Sequence, residues 1–260
     1  MLAFRVMNPR VVFVAARALV FVPLVVVVGS AAAIVLSFVS RDGNIIWNHL
    51  VRPCSGLILW LAGVKVNVSG TANVPPSGQN CIVVFNHQSH LDPPLLAWYL
   101  PLQIRFIGKA ELKKVPVFGP AILRMGHFLI NRKDHQSALL GLSKAADAIR
   151  ESGISLAFAP EGTRSPDGRL LPFKKGAFVL SIQAGLPILP VTIDGTFERL
   201  PKKSLLAQPG AVRLIIHPLV FPTGMTYEDR GSFMEKIRKT MEEPLKHDIK
   251  CQLRGEMIRT

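Results

Sequence analysis

The segment Phe85-Asn86-His87-Gln88-Ser89-His90-Leu91-Asp92-Pro93 holds an imidazole and a carboxylate at a spacing suited to proton transfer. With four residues between them, His87 and Asp92 do not share one face of a continuous helix. They meet if His87 lies in a strand-to-helix turn and Asp92 in the first helical turn. An aspartate that accepts from one ring nitrogen fixes the tautomer and leaves the other nitrogen as a general base. Such a base acts directly on a substrate hydroxyl, so no serine or cysteine nucleophile is implied. The same residues have plainer uses. Asp92 before Pro93 reads as an N-cap followed by a favoured N1 proline, and Ser89 with Asp92 resembles a capping box. His90 then reads as helix-surface filler and His87 as a hydrogen-bonded loop histidine. A metal set of His87, His90 and Asp92 finds no further His or Cys pair at ligand spacing, so no metal is expected.

A second stretch, Ala159-Pro160-Glu161-Gly162-Thr163-Arg164-Ser165, follows another apolar run. It offers a bend, small residues with accessible amides and a guanidinium suited to bidentate phosphate binding. Phe173-Lys174-Lys175-Gly176 adds cationic charge. Taken alone, this is an ordinary β-turn with solvated charges, and only the upstream histidine segment lifts it above that. Residues 101–133 carry seven basic side chains (Arg105, Lys109, Lys113, Lys114, Arg124, Arg132, Lys133) against one acid, Glu111. Most charge runs are solvated faces. Beside an apolar N-terminus, contact with anionic headgroups is an equal reading.

The elements that must position these groups follow from periodicity. VKVNVSG, CIVVF, IRFIG, HFLIN, ISLAFA, ILPVTI and VRLIIHPLVF read as strands. Helical patterns fall from Leu95, over 138–152 and over FVLSIQA, which Gly185 ends. Tyr227 to Lys250 is charged and partly helical, with Pro244 expected to bend or divide it. Strands alternating with helices predict an α/β fold with a mixed, largely parallel sheet. The organisation expected is a membrane-binding N-terminus over 1–63, a catalytic domain over 64–225 and a charged helical segment over 226–260.

Composition narrows the function classes. The 260 residues are 49% hydrophobic and 18% charged, which excludes a disordered tail. Lys and Arg number 31 against 17 Asp and Glu, so polyanions or an anionic membrane face are the natural partners. Aromatics at 7%, with no zinc-finger or RNA-binding motif, argue against nucleic acid. Cys54, Cys81 and Cys251 match no disulfide framework, which suggests a reducing compartment. From Ala18 to Val39 the chain has no charge, long enough to cross a hydrocarbon core as a helix. A cleaved signal peptide is the rival reading, with Ala31-Ala32-Ala33 as cleavage mimic, but IVLSFV continues past those alanines. Pro23 and Gly29-Ser30 suggest a kinked or re-entrant element. With LILWLAGV, which contains Trp60 and follows Trp47, it would make a helical hairpin dipped into one leaflet. Spanning and dipping stay open at this point.

Taken together, these motifs resemble those of glycerolipid acyltransferases, specifically the 1-acyl-glycerol-3-phosphate acyltransferases. NHQSHLD resembles that family's His-x4-Asp motif, KAELKKVPVFG its second block, GHFLINR its arginine-ending motif, PEGTRS its phosphate-binding motif and LPV its last proline motif. Five motifs in order, over roughly residues 64–220, make the resemblance specific. It implies a fold of that family behind a membrane helix or hairpin, with His87 as general base and Asp92 as its partner. Glu161, Gly162, Thr163 and Arg164 would contact or shape the acceptor phosphate pocket, with Arg132 nearby and Lys109 helping to bind acceptor or donor. Asn131 stands where Asp is frequent and Ala159 where a bulkier apolar residue is common. The reaction implied moves an acyl group from acyl-CoA or acyl-(acyl carrier protein) to the sn-2 hydroxyl of lysophosphatidate. No cofactor beyond the thioester co-substrate is expected, and the catalytic domain would face the cytoplasm. The rivals are an acyltransferase for another lysolipid, a non-catalytic basic lipid-binding protein and, last, a metal-dependent hydrolase.

Overall fold

The computed structural model describes residues 8–40, 43–76, 78–131 and 153–257. The helix expected over 138–152 and the candidate Arg132 therefore lie outside the described residues. Seven strands form one sheet: β1 (Val64–Ser69), β2 (Ile82–Phe85), β3 (Ile104–Lys109), β4 (Phe128–Ile130), β5 (Ser155–Phe158), β6 (Ile188–Asp194) and β7 (Gly210–Ile216). Their order is β1-β7-β6-β2-β5-β3-β4. All neighbouring pairs are parallel except β6 with β7. The central strands β2 and β5 are buried along their whole length, as strands covered on both faces must be. The sheet is the mixed, largely parallel one that the alternation of patterns predicts.

Helices cover both faces. They are α1 (Pro9–Val39), α2 (Gly43–Ile46), α3 (Arg52–Leu61), α4 (Asp92–Tyr99), α5 (Phe118–Arg124), α6 (Gly176–Ala184), α7 (Thr196–Arg199) and α8 (Arg230–Met257). On one face Val83, Phe85, Ala157 and Val191 pack with Trp47, Leu59, Leu95 and Leu96. On the other, Ile82, Val84, Leu156 and Ile188 pack with Phe178, Phe233, Ile237 and Met241. Alternate residues of β2 thus feed opposite cores, the period-two rule of a strand.

Three local expectations are revised. The helix α1 continues through Pro23 and Gly29-Ser30, because one missing donor does not end a helix of this length. Pro244 likewise does not divide α8. The last strand stops at Ile216: Pro218 has no ladder donor, and Val220 returns only as an isolated bridge to Ile188. The helix α8 packs onto the sheet through Phe233, Ile237 and Met241, which are buried in its core.

One face of α1 lies along the domain. Its inward residues are small (Ala15, Ala18, Ser30, Ala33), and its outward ones are bulky (Phe13, Val20, Leu24, Val28, Val35, Phe38). Near its start Arg17 donates to the Trp60 and Leu61 carbonyls at the end of α3. Near its end Arg124 of α5 donates to Ser37 and lies over the Phe38 ring. It is the one helix among the described residues long and apolar enough to cross a membrane.

Candidate active site

Two adjacent parallel strands, β2 and β5, deliver the site from their carboxyl ends, with Val84 beside Phe158 in the ladder. In open α/β sheets this is where ligands bind. Leaving β2, Asn86 turns inward and is buried. Its amide donates to the Ile193 carbonyl and accepts from the Ile193 amide, both at 2.7 Å. That bracket on β6 fixes the direction in which the chain leaves the sheet.

The next residue is His87, whose Nδ1 lies 2.7 Å from Asp92 Oδ2. The same oxygen accepts from the amides of Gln88 at 2.7 Å and Ser89 at 2.8 Å. Asp92 Oδ1 accepts from Thr196 Oγ1 at 2.6 Å. Three other donors already meet this wholly buried carboxylate, which acts as acceptor, so the ring proton sits on Nδ1 and Nε2 keeps its lone pair. His87 keeps 22% of its side chain exposed while Asp92 keeps none. A substrate therefore reaches the imidazole but not the carboxylate.

Asp92 is the first residue of α4, not its cap. Its carboxylate reaches back to Ser89, but the reciprocal half of a capping box is missing: the Ser89 hydroxyl donates to the Leu200 carbonyl. Thr196, which completes the grip on Asp92, was not singled out by sequence reasoning. No local signal marks it, because 104 positions separate the pair.

The turn after β5 is bonded directly to this dyad. The His87 amide donates to Glu161 Oε1 at 2.7 Å, and the Ser165 amide donates to the His87 carbonyl at 2.7 Å. Glu161 Oε2 accepts from the Leu171 amide at 2.9 Å, and the side chain is buried. Glu161 thus braces the turn against the histidine and does not face the opening. Burial pushes its pKa up to about 7, against the pull of the two amides. Gly162 takes φ +72°, a backbone state that suits glycine, with the Lys174 amine close by. Thr163 Oγ1 and the Arg164 carbonyl both accept from Lys202 Nζ, at 3.1 and 3.0 Å.

Arg164 is the cation that this turn leaves uncommitted. Its Nη1 is buried with no hydrogen-bond partner among the described residues. Burial lowers its pKa, and the charge of nearby Asp92 acts the other way. A half-buried guanidinium with a spare donor beside an imidazole suits an anion. His90 stands at the surface, yet crowding lowers its pKa, and the Arg164 and His87 charges push in the same direction. Lys109 lies exposed at the carboxyl end of β3, with β5 between it and β2. The structure thus brings together His87, Asp92 and the turn Glu161–Arg164, and holds Lys109 at the rim.

The match to known proteins follows the same residues. A family model described as Acyltransferase matches residues 65–194, which include both the dyad and the turn. The chain belongs to the acyltransferase family. The 1-acyl-sn-glycerol-3-phosphate acyltransferase BAT2, chloroplastic, of Brassica napus is 39% identical over 176 residues, 67% of this chain and 51% of that protein. A 1-acyl-sn-glycerol-3-phosphate acyltransferase of Chlamydomonas reinhardtii is 33% identical over 83% of this chain and 66% of its own length. The chain thus spans about half to two thirds of these relatives. The crystal structure of the 1-acyl-sn-glycerophosphate acyltransferase PlsC from Thermotoga maritima superposes with a TM-score of 0.73 at 31% identity. It covers 90% of this acyltransferase and 95% of the Thermotoga chain.

Proposed function

We propose that this acyltransferase moves an acyl group from a thioester to the sn-2 hydroxyl of 1-acyl-glycerol-3-phosphate, giving phosphatidate. The observation that carries the reading is a solvent-reachable His87, held by buried Asp92, on a turn whose Arg164 has a buried donor unpaired. His87 Nε2 takes the proton of the acceptor hydroxyl as its oxygen attacks the thioester carbonyl. The imidazolium that forms keeps its Nδ1–H on Asp92. When the tetrahedral intermediate collapses, the carbon–sulfur bond breaks and the departing thiolate takes the proton from Nε2. No acyl-enzyme forms, and no cofactor takes part. Arg164 meets two oxygens of the acceptor's phosphate monoester, with Lys174 adding charge at the other side of the Gly162 bend.

Acyl-CoA and acyl-(acyl carrier protein) both fit as donors, because the step needs only a thioester carbonyl. The helix α1 lies in the plane of the bilayer, sunk into one leaflet. Its domain contacts run from Ala15 to Ser37, about 33 Å at ~1.5 Å per residue, so little of it is free to project across a membrane. Small residues face the protein and bulky apolar ones face lipid. The early arginines Arg5, Arg10 and Arg17 favour the anionic cytoplasmic leaflet, which puts the catalytic domain on that side.

Arg164→Lys tests the phosphate contact, because lysine keeps the charge but not the two-pronged donor. KM for lysophosphatidate is expected to rise by roughly tenfold, a loss typical of a charge-assisted hydrogen bond, while the thioester KM holds. A lysolipid with a phosphodiester headgroup serves as the comparison. Equal losses toward both acceptors and the thioester would mean that Arg164 is structural and that the acceptor is misassigned.

A further inference from the structure

We propose that the loop from Pro201 to Gln208, between α7 and β7, is a bilayer-inserting element built onto the mouth of the site, with an anionic lipid monolayer as its partner. Its tip is Leu205-Leu206, exposed by 78% and 46%. Adjacent leucines that far into water are unfavourable unless something apolar covers them. The loop is not a loose excursion. The Gln208 amide donates to the Arg199 carbonyl at 2.7 Å and closes its base, and the Ser204 amide donates to the Pro201 carbonyl at 3.0 Å. The Leu206 amide donates to Ser204 Oγ at 3.0 Å, which fixes the tip itself.

What surrounds the loop identifies the partner. Leu200 and Ala207 share an apolar cluster with Ala18 and Val22 of α1, Ile58 and Ala62 from the α3 end, and Leu91 of the catalytic segment. The tip therefore emerges beside the first half of α1, where Phe13, Val20 and Phe21 are 66%, 61% and 48% exposed. Trp60, 61% exposed, lies in the same neighbourhood with the Arg17 guanidinium 4.4 Å from its ring centre. Exposed Lys203 precedes the two leucines. Bulky apolar side chains, a tryptophan and cations on one rim match the layers of a monolayer: acyl chains, glycerol level and anionic headgroups. An acidic protein would satisfy the cations but leave the leucines uncovered.

The loop is also tied to the chemistry. Lys202 donates to Thr163 and to the Arg164 carbonyl, and the Leu200 carbonyl accepts from Ser89 of the catalytic segment. A tip seated among acyl chains thereby holds the Arg164 turn near the depth of lipid phosphates. The proposal rests on the acyl-transfer reading only in taking a bilayer lipid as acceptor.

The test uses the full-length protein and phosphatidylglycerol vesicles. A Leu205→Trp variant is compared with Lys236→Trp, an exposed position of α8 on the opposite face of the sheet. Acyl chains brominated near the glycerol should quench the added emission of Trp at 205 at least twofold and leave that at 236 unchanged. Equal quenching at both positions would overturn the proposal. In the Leu205→Ser/Leu206→Ser double variant, KM for lysophosphatidate in vesicles should rise about tenfold. Turnover of a water-soluble short-chain lysophosphatidate should stay at the wild-type rate. Equal losses on both acceptors would make the loop structural, and a loss seen only with a carrier-protein thioester would make it a protein-docking site. Either result overturns the assignment. If Trp at 205 is quenched while the wild type fails to acylate lysophosphatidate, the acyl-transfer reading falls and the inserting loop stands.

Discussion

His87 and Asp92, the proposed base and its partner, are held by an asymmetric set of bonds, three donors on Asp92 Oδ2 and Thr196 alone on Oδ1. Removing the imidazole removes the proton acceptor outright. His87→Ala is expected to lower kcat by about 10² to 10⁴, the range for general-base catalysis, while His90→Ala costs far less. Steady-state rates for the two variants check this, and similar losses would mean that the base has been misassigned. Thr196 acts one step back as a positioning residue. Thr196→Val leaves Asp92 Oδ1 buried without its donor, so the carboxylate is free to turn and the imidazole loses its fixed tautomer. A lost hydrogen bond to a charged group is worth about 1.5–3 kcal/mol, which corresponds to roughly 10- to 100-fold in kcat. Thr196→Ser keeps the hydroxyl and should restore most of the rate. If both variants melt early and fail alike, Thr196 serves packing at the start of α7 rather than the dyad.

At the scale of elements, the site is a junction of two strand ends, and the turn after β5 depends on one backbone angle. Gly162→Ala places a Cβ 3.1 Å from both Lys174 Cε and Nζ, at φ +72°. The left-handed backbone costs about 1–2 kcal/mol for alanine, and Lys174 must swing off the turn. The expected result is a melting temperature lower by a few degrees and a raised KM for lysophosphatidate, with the thioester KM steady. An unchanged acceptor KM would remove Lys174 from the headgroup contacts. Much of this junction was legible in the sequence. Apolar runs of strand length ended at NHQSHLD and at PEGTRS, and both segments do lie at strand ends. What escaped was every relation that depends on distant pairing. Asn86 reaches Ile193, Thr196 reaches Asp92 and Lys202 reaches Thr163 across separations of 107, 104 and 39 residues. None of these contacts leaves a periodicity or a local spacing to read. For a related reason the motif places Glu161 in a turn that contacts or shapes the pocket but does not give the side to which its oxygens turn, here towards the His87 and Leu171 amides. Charge marks α8 in the sequence, while its apolar stripe Phe233, Ile237 and Met241 joins it to the core.

Over the whole molecule, net charge and burial combine to set how the protein responds to acid. The chain carries a formal charge of +14 at neutral pH, so each further proton adds to self-repulsion. The buried His127 resists protonation in the fold. His127 accepts from the Phe106 amide at 2.9 Å through Nδ1 and is enclosed by Trp47 and Phe106. Burial and the neighbouring Arg105 charge push its pKa down to about 3. Arg105 is itself only 4% exposed and lies 5.5 Å from the Trp47 ring centre, so that charge does not move away. Between about pH 6.5 and 3 the unfolded chain binds a proton here that the folded chain refuses. The stability that His127 contributes is therefore complete above the unfolded value and is lost as pH falls towards 3. Glu161 works in the opposite sense: its pKa of about 7 lets the folded state gain a proton as pH falls from 7 towards 4.5. From pH 7 to 5 the two largely offset each other, and the His127 loss continues unopposed below about pH 4.5. His90 and His217, lowered too, act in the same direction as His127. From pH 7 to 5, His127 alone accounts for about 2 kcal/mol, or roughly 4–8 °C in melting temperature for a domain of this size. His127→Gln keeps an acceptor for the Phe106 amide but does not titrate. It should melt below wild type at pH 7, where its imperfect fit is felt, and the gap should close or reverse by pH 5. Thermal melts of the two proteins at both pH values decide the matter, and parallel curves would mean that the acid response arises elsewhere.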